Sequence, residues 1–398
     1  MTAIFHEWIS LFVRWAHIIA AISWIGSSFY FMWLDSSLKR RVALGEGIKG
    51  ENWTVHGGGF YHTVKYQVAP EGMPEDLHWF RWESYATWLT GFLMLAVTYY
   101  WGAEGMLIDR AVLDIPVPVA IGLSLLSLGA GWVLYDWLSR SPLRHQPEVM
   151  ILVLFAALAV LAWGFQHVFS ARAAWLHVGA VMATMMSGSV FLVIIPNQRV
   201  VVADLKAGRT PDGRYGEIAK LRSTHNNYLT LPVVLMMISN HYPIAFGHPH
   251  SWVLIAIILI IGAVVRQWFN AHESGAHGLK MQWQWPMAAI LALCLMWFSS
   301  WRPDLAKALT ADVAPAAAVE IVTLHCTACH ASLPAHEAFE VAPGGIHFDD
   351  LAAIRQHSAK IMAQSVMSQA MPLGNETGMT SEERAILGAW LRAGAPAP

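Results

Sequence analysis

Two cysteines and a histidine near the C-terminus form the pattern Cys326-Thr-Ala-Cys329-His330. Thiols three residues apart lie on one face of a helical turn, where they can add to the two vinyl groups of one porphyrin. The histidine that follows is then placed beneath the iron as its axial ligand. Zinc or a redox dithiol is the alternative, but zinc takes four ligands and the remaining thiol, Cys294, lies in an apolar segment. The motif therefore predicts one covalently bound haem c.

A methionine thioether is the usual sixth ligand of such an iron. The candidates are Met362, Met367, Met371 and Met379. Met371 is favoured because Pro372 stops a helix there and leaves the sulfur on a loop. The 41 residues from His330 to Met371 leave room for the chain to wrap the macrocycle. We predict iron ligation by His330 and Met371; the alternative is that these methionines only fill the core.

Ionisable side chains also occur inside long apolar segments. Such groups are costly to bury in a bilayer and mark functional sites by default. With the topology given below, they form two layers. The outer layer contains His17, His167, His177 and His241, and the inner layer contains His78, Glu83, Asp136, His225, Arg266, His272, Glu273 and His277. We predict His17 and His177 as ligands of a second, b-type haem; a satisfied core or interfacial histidine is the alternative at each position.

A glycine-rich stretch, residues 53–65, is predicted to be a loop on the inner side. Its three consecutive glycines let the backbone approach a ligand closely, and its histidines offer proton transfer. Other polar groups of the inner layer would lie at helix ends nearby. We therefore predict a substrate site formed by His56, His62, Glu83, His225 and Arg266. The alternative is a flexible connector with incidental histidines.

The composition indicates which elements must position these groups. Of 398 residues, 56% are hydrophobic and 13% are charged, whereas roughly 25% are charged in typical soluble proteins. Twenty tryptophans agree with a membrane location, because Trp collects where headgroups meet hydrocarbon. The net charge of −2 excludes the basic surface of a nucleic-acid binder. We predict an all-α protein with eight spans, at 8–34, 82–101, 115–138, 149–168, 173–196, 224–241, 251–271 and 283–301.

Lysine and arginine are distributed unevenly over the loops between these spans. The first, third, fifth and seventh loops hold fifteen of them, and the other loops hold two. Loops rich in basic residues stay in the cytoplasm, so both termini are predicted to face the periplasm of a bacterial inner membrane. The haem motif would lie on the same side, which is where haem c is attached in bacteria.

The character of the chain changes after Trp301. Residues 302–314 are predicted to be a linker, and residues 315–398 a small class I cytochrome c domain. Ten acidic and five basic side chains over 303–398 suit a solvated domain. Thr380 and Glu383 form a capping-box pattern ahead of a final amphipathic helix.

The two halves of the membrane domain, residues 1–301, resemble each other weakly. Trp15-Ala-His17 aligns with Trp175-Leu-His177 at an offset of 160 residues. A parallel repeat of four plus four helices would make His17 and His177 face one another across the bundle. Chance similarity between apolar segments is the alternative.

The order of these parts resembles the membrane-bound, cytochrome c-dependent urate oxidase family, also called urate hydroxylase. That family has an eight-helix membrane domain followed by one cytochrome c module, and the similarity covers essentially the whole chain. The haem motif is specific for the cofactor, whereas three membrane stretches point to this family. The matching residues are Trp15-Ala-His17 with Ser23-Trp-Ile-Gly26, Val55-His-Gly-Gly-Gly-Phe60, Ser223-Thr-His225-Asn-Asn-Tyr-Leu-Thr-Leu-Pro232, and Cys326-Thr-Ala-Cys-His330 with Met371-Pro372.

The resemblance implies oxidation of urate to 5-hydroxyisourate, with oxygen taken from water and without release of hydrogen peroxide. Electrons would pass to haem c and on to a downstream cytochrome c or terminal oxidase, so urate, that acceptor and membrane lipid are the expected partners. The residues alone also allow a membrane dehydrogenase or quinol oxidoreductase with another donor, and a transporter with an appended cytochrome c. If urate binds on the inner side, about 30 Å of hydrocarbon separates it from haem c, and a b-type haem would be needed between them; the alternative is that urate binds near the outer face.

Overall fold

The computed structural model is mostly helical. It describes residues 2–40, 45, 47–66, 70, 73–273, 278, 282–302, 309–310, 313–337 and 339–398. The helices before residue 302 are α1 (Thr2–Ser37), α2 (Trp82–Leu95), α3 (Ala103–Met106), α4 (Val117–Arg140), α5 (Pro147–Phe165), α6 (Ala171–Ser189), α7 (Ile195–Lys206), α8 (Gly213–Ile238), α9 (Pro243–Phe246), α10 (Ser251–Glu273) and α11 (Gln284–Ser300). We call this part, up to Arg302, the helical body. A π-helical turn at Val190–Ile194 joins α6 to α7 in one continuous rod.

Several helices of the body are long and apolar, as a membrane protein requires. In the described part of the chain, five could cross a bilayer by length and composition: Ile4–Ser37, Val117–Arg140, Pro147–Phe165, Ala171–Lys206 and Ser251–His272. They coincide with five of the eight predicted spans. The other three predicted spans are helical too, in α2, α8 and α11, but α11 has only 17 residues and polar side chains occur along α8.

The predicted inner loop at 197–223 is mostly helical. It forms the end of α7 and the first turns of α8, and the two helices are joined by residues 207–212. Asp212 caps α8 by accepting a hydrogen bond from the Arg214 amide, a role in which Asp is favoured. The loop prediction is wrong because charged side chains end an apolar span without ending a helix.

Residues 48–66 form a β-hairpin, so the predictions of a loop at 53–65 and of an all-α chain are wrong here. Strands β1 (Ile48–His56) and β2 (Gly59–Tyr66) pair antiparallel, with Trp53 opposite His62 and Val55 opposite Phe60. The turn between the strands has φ of 59° at Gly57 and 78° at Gly58. Two consecutive residues with positive φ match the tight turn that a right-handed strand twist requires. The glycines therefore serve the turn.

Helix α6 lies at the centre of the body and most of its side chains are buried. It packs against α4, α8 and the π-helical turn that follows it. At Gly179 a Cβ atom would lie 2.8 Å from the Met236 Cβ, so α6 and α8 approach too closely there for a larger residue. This close packing also buries the polar side chains of α8 that face α6.

Residues 313–398, which we call the C-terminal unit, have a hydrophobic core of their own. Its helices are α12 (Pro315–His325), α13 (Leu351–Gln356), α14 (Ser358–Ile361) and α15 (Ser381–Arg392). The predicted capping box is confirmed, because Thr380 and Glu383 exchange side-chain and backbone hydrogen bonds at the start of α15. Leu387 and Trp390 on α15 are fully buried in this core. Most of the predicted linker, 303–308 and 311–312, lies outside the described residues.

Candidate functional site

The Cys326 to His330 segment forms a compact turn directly after α12. The amides of Cys329 and His330 both donate to the Cys326 carbonyl, at 3.3 and 2.8 Å. This closed turn keeps both thiols on one short stretch of backbone. His330 Nδ1 donates to the Ile346 carbonyl at 2.8 Å, which fixes the tautomer and leaves Nε2 as the nitrogen that can bind a metal.

The environment of the thiols separates the three chemistries that the motif allows. Burial raises the pKa of the Cys326 thiol to about 12 and raises the pKa of the Cys329 thiol as well. A redox dithiol needs the opposite, a lowered pKa. Within the described residues, no group of three or more His, Cys, Asp or Glu side chains is placed to hold a metal ion, as a zinc site would need. Two thiols on one closed turn, with an imidazole whose Nδ1 is already bound, fit covalent attachment of a haem.

Met371 and Met379 lie in different surroundings. Met379 is 3% exposed and packs in the core of the C-terminal unit. Met371 is partly exposed on the loop that follows the π-helical turn Met362–Met367. The buried guanidinium of Arg384 donates to the Met371 carbonyl at 2.6 Å and to the Ser365 carbonyl at 2.5 Å. Of these two methionines, Met379 is packed in the core and Met371 is not.

A group of polar side chains is buried between α8 and α4. Arg222 Nη2 donates to Asp136 Oδ1 at 2.6 Å, and the Arg222 guanidinium lies 4.8 Å from the centre of the Tyr135 ring. His225 Nδ1 is 3.0 Å from the Tyr135 hydroxyl, in a hydrogen bond. Arg222 and His225 are each only 2% exposed. One turn of α8 thus brings a cation and an imidazole onto the same tyrosine.

The next residue of α8 extends this group towards α6 and α2. Asn226 Nδ2 donates to the Met186 carbonyl at 3.0 Å. The neighbouring Ser187 hydroxyl is 3.0 Å from the Ser84 hydroxyl on α2, and Glu83 precedes that serine. We call Tyr135, Asp136, Arg222, His225 and Asn226 the polar cluster, and we add Glu83 to it because Glu83 adjoins Ser84 on α2.

Arg266 lies beside the polar cluster rather than in it. Its Nε donates to Asn227 Oδ1, and its guanidinium lies 3.9 Å from the centre of the Phe29 ring on α1. Asn227 is the residue next to Asn226, so the same turn of α8 reaches α10 through Asn227 and α6 through Asn226. A second guanidinium is therefore buried in the same layer of the body.

The polar cluster contains buried atoms that the described chain does not satisfy. No hydrogen-bond partner is present, among the residues described, for His225 Nε2, Arg222 Nη1, Asn226 Oδ1 or Glu83 Oε2. Buried polar atoms are almost always paired, with protein, ordered water or a ligand. This set comprises an imidazole nitrogen, a guanidinium N–H, an amide oxygen and a carboxylate oxygen. It would complement a small polar molecule that carries both donors and acceptors.

A sequence comparison identifies the family of the helical body. The family described as urate oxidase N-terminal matches residues 3–299. The chain belongs to the urate oxidase N-terminal family. Comparisons with curated proteins and with solved structures give no match. The family resemblance predicted from the sequence is confirmed, and it assigns the chain to urate-related oxidoreductases.

The match to the urate oxidase family includes every residue of the polar cluster and ends before the haem motif. Three predicted site residues, Glu83, His225 and Arg266, lie in or beside the cluster. Tyr135 and Arg222 were not among the predicted site residues. Arg222 precedes His225 by three residues, so one helix face carries both; the signal was present but fell in the segment predicted to be a loop.

The other two predicted catalytic residues of this urate oxidase family member lie on the hairpin. His62 Nε2 is 2.6 Å from Glu51 Oε2, and its ring stacks on Trp53 at 4.2 Å. His56 is exposed beside the turn. The hairpin is attached to the end of α1, where Asn52 Nδ2 donates to Ser37 Oγ at 2.7 Å. His277, also assigned to the inner layer, lies outside the described residues.

The two histidines predicted to bind a b-type haem have different environments. His177 is fully buried; its Nδ1 donates to the Ala173 carbonyl at 2.7 Å, and its Nε2 is 2.6 Å from the Ser124 hydroxyl. In this arrangement His177 offers no nitrogen to an iron. His17 Nδ1 donates to the Thr87 carbonyl at 3.1 Å, and its ring lies against Gly91, where a Cβ would come within 2.9 Å. The hydrogen bond of His17 uses only Nδ1, whereas His177 uses both nitrogens, so His17 is the better fit of the two.

Proposed function

We propose that the polar cluster binds urate and oxidises it to 5-hydroxyisourate, with the electrons leaving through a haem c held by the C-terminal unit. The reaction balances as urate and one water giving 5-hydroxyisourate, two electrons and two protons, so no hydrogen peroxide forms. The observation that carries the proposal is the set of buried polar atoms on α8 and α2 that have no partner among the described residues, inside the part of the chain that matches the urate oxidase family.

Urate matches this set chemically. It is a flat purine anion with carbonyl oxygens and N–H groups around its edge. Arg222 Nη1 can donate to an anionic urate oxygen, and charge-assisted bonds of this kind are the strong ones. Asn226 Oδ1 can accept from a ring N–H. Because Asp136 and Arg140 fix the opposite side of the Arg222 network, the guanidinium is held in place before urate binds.

His225 and Glu83 are the proposed proton acceptors. His225 would donate from Nδ1–H to the Tyr135 hydroxyl oxygen, so that Nε2 is the unprotonated nitrogen and can take a proton from urate as electrons leave. Glu83 Oε2 is a second buried acceptor and would remove the proton from the water that attacks the oxidised purine. A positioned base of this kind accelerates proton transfer by about 10²–10⁴-fold.

The residues of the C-terminal unit fit the electron acceptor. Cys326 and Cys329 would attach the haem, and His330 and Met371 would bind its iron. When bound, the haem accepts electrons one at a time and passes them to a downstream cytochrome c or terminal oxidase. Replacing both cysteines by serine should abolish covalent haem, measured as the loss of haem mass on the denatured chain; retention of that mass would contradict the assignment.

The proposed location is a bacterial inner membrane with both termini in the periplasm. His225 then lies 13 residues along α8 from Ile238, or about 20 Å from the outer end of the helix. This distance is the reason for keeping a b-type haem at His17 in the proposal. Pyridine haemochrome analysis of the purified protein tests it, and a c-type spectrum alone would contradict haem binding by His17.

The decisive experiment is anaerobic mixing of urate with the purified holoprotein while the haem absorption is recorded. We expect urate to reduce the haem with two electrons per urate, and xanthine, alcohols and quinols not to do so. The His225→Gln variant should lose urate-driven reduction while ascorbate still reduces its haem. A wild-type haem that ascorbate reduces and urate does not would overturn the proposed substrate.

A further inference from the structure

The loop that carries Met371 is packed against the helical body. At Gly247, directly after α9, a Cβ atom would lie 2.2 Å from the Ser368 Cα. At Gly374 a Cβ atom would lie 2.6 Å from the Glu104 carbonyl oxygen. Ala370, between these points, packs on the core of the body. Residues 367–374, which we call the docking segment, therefore contact the body at both ends and in the middle.

Arg302 joins the two sides of this contact. It follows α11, and its guanidinium donates to the Met367 carbonyl through Nη1 and to the Gly247 carbonyl through Nη2 at 2.9 Å. One carbonyl belongs to the docking segment and the other to the body. Because the donor is charged, these bonds are stronger than bonds between neutral groups. Arg302 therefore fixes the distance between the two backbones.

A second arginine holds the docking segment from the opposite side. Arg384, on α15 of the C-terminal unit, donates to the carbonyl of Met371 and to Asn375 Oδ1 at 3.0 Å. It is 5% exposed. The docking segment thus lies between Arg384 in the C-terminal unit and Arg302 on the body. Because both arginines hold the docking segment, the segment cannot move with the C-terminal unit and leave the helical body.

We infer that the C-terminal unit is seated on the helical body through residues 367–374, so that the face of the unit that carries Met371 lies against the body. Arg302 is the residue that positions it. For its electron-transfer consequence the inference rests on the proposed function: the haem would receive electrons across a fixed contact and not through a swinging domain. For the docking itself it rests only on the contacts of Gly247, Arg302 and the docking segment.

A disulfide provides a direct test of the docking. Leu373 Cβ lies 3.9 Å from the position of a Cβ at residue 105, within the 3.5–4.5 Å that disulfides require. The variant Gly105→Cys with Leu373→Cys, in a Cys294→Ala background, should form this bond in the full-length holoprotein. The matched control is Gly105→Cys with Leu333→Cys, because Leu333 is 89% exposed and lies outside the docking segment.

The readout is the fraction of disulfide-linked peptide in a proteolytic digest, measured by mass spectrometry. We expect nearly complete linkage of 105 to 373 and background linkage in the control. The linked protein should still pass electrons from urate to the haem at a rate within about twofold of the unlinked protein, since locking a productive geometry removes no step. Linkage no higher than in the control would overturn the docking, and linkage that stops the reduction would overturn its role in electron transfer.

Arg302→Met tests the positioning role, with Arg302→Lys as the conservative variant and Arg110→Met as an exposed arginine control. We expect Arg302→Met to lower kcat about tenfold by misplacing the reacting partners, with KM for urate, the haem spectrum and reduction by ascorbate unchanged. It should also lower the 105–373 linkage, and Arg302→Lys should restore part of both. Unchanged kcat and linkage would contradict the role of Arg302. Full linkage in a protein whose haem urate never reduces would contradict the proposed function and still support the docking.

Discussion

His177 and His225 are both buried histidines on the central helices of the body, and they differ in how far the protein satisfies them. His177 uses both ring nitrogens, one on the Ala173 carbonyl and one on Ser124. His225 uses Nδ1 on Tyr135, and no partner for its Nε2 is found among the described residues. His177 is 0% exposed and His225 is 2% exposed, so burial alone does not separate them.

The hydrogen-bond network of His177 is closed, whereas that of His225 is open, and this difference separates burial that stabilises the fold from burial that prepares a binding site. The Ser124 hydroxyl also accepts from Tyr100 at 2.8 Å, so His177 belongs to a closed chain of hydrogen bonds between α6, α4 and the π-helical turn Ala96–Tyr100 that follows α2. A closed network stabilises, whereas an open one carries a desolvation cost of about 1–3 kcal/mol for each unsatisfied group. The polar cluster retains several such groups, which is the expectation for a site that a ligand completes.

The largest expected effect is on activity at His225. The variant His225→Gln keeps a polar group near Tyr135 but removes the base, so kcat for urate oxidation should fall about 10²–10³-fold. The midpoint of thermal unfolding in detergent should stay close to that of wild type, because the lost nitrogen has no partner among the residues that the structure describes. A fall in stability without a fall in activity would reverse the roles that we assign to the two histidines.

The next largest effect concerns Arg222, the proposed partner of the urate anion, and the Kd for urate. Two arginines bind Asp136: buried Arg222 at Oδ1 and exposed Arg140 at Oδ2. Arg222→Lys keeps the charge and loses the second donor, so the Kd for urate should rise about tenfold or more, the worth of a hydrogen bond to a charged group. Titration of binding measures it, and Arg140→Lys is the matched control, with an unchanged Kd expected. Equal effects of the two variants would indicate that the charge of Asp136 matters and urate contact does not.

His177 should show the reverse pattern. Replacing His177 by Leu leaves Ser124 without its imidazole partner and removes the ring that stacks on Phe169 at 4.6 Å. We expect a loss of about 2–3 kcal/mol of stability and urate oxidation per folded molecule within about twofold of wild type. Thermal unfolding and the kcat of the folded fraction test this. A loss of kcat as large as that of His225→Gln would contradict a structural role.

The sequence predicted the apolar helices and the family, because twenty-residue apolar runs and the stretch from Ser223 to Pro232 are local signals. It also selected both His177 and His225 as buried polar groups. It could not rank them, since the partners that distinguish them, Ser124 and Tyr135, come from α4, at least 50 residues away in the chain. Hydrogen-bond closure depends on how helices pack, and the apolar pattern of a helix does not encode its neighbours.

The hairpin shows the opposite limit, because there the signal was local and was misinterpreted. Trp53 and Val55 alternate with Thr54 and His56, and glycines separate this run from the aromatic and β-branched residues that follow. This is a hairpin pattern, yet the glycines suggested close approach to a ligand. The structure uses Gly57 and Gly58 for the turn and pairs His62 with Glu51, so the histidines of the hairpin owe their positions to strand register.

The smallest expected effect sharpens the comparison most directly. Ser124→Ala leaves His177 in place and opens its network, so His177 Nε2 becomes as unsatisfied as His225 Nε2. We expect a loss of about 1–2 kcal/mol, with no change in urate binding, because no guanidinium, carboxylate or amide of the polar cluster contacts Ser124 in the described structure. Ser127→Ala is the control: Ser127 donates to the Ser124 carbonyl one turn away on α4, and its loss should cost less. If Ser124→Ala instead altered the Kd for urate as much as Arg222→Lys, an unpaired nitrogen at His177 would affect substrate binding. The distinction between a closed structural network and an open binding site would then not hold in this protein.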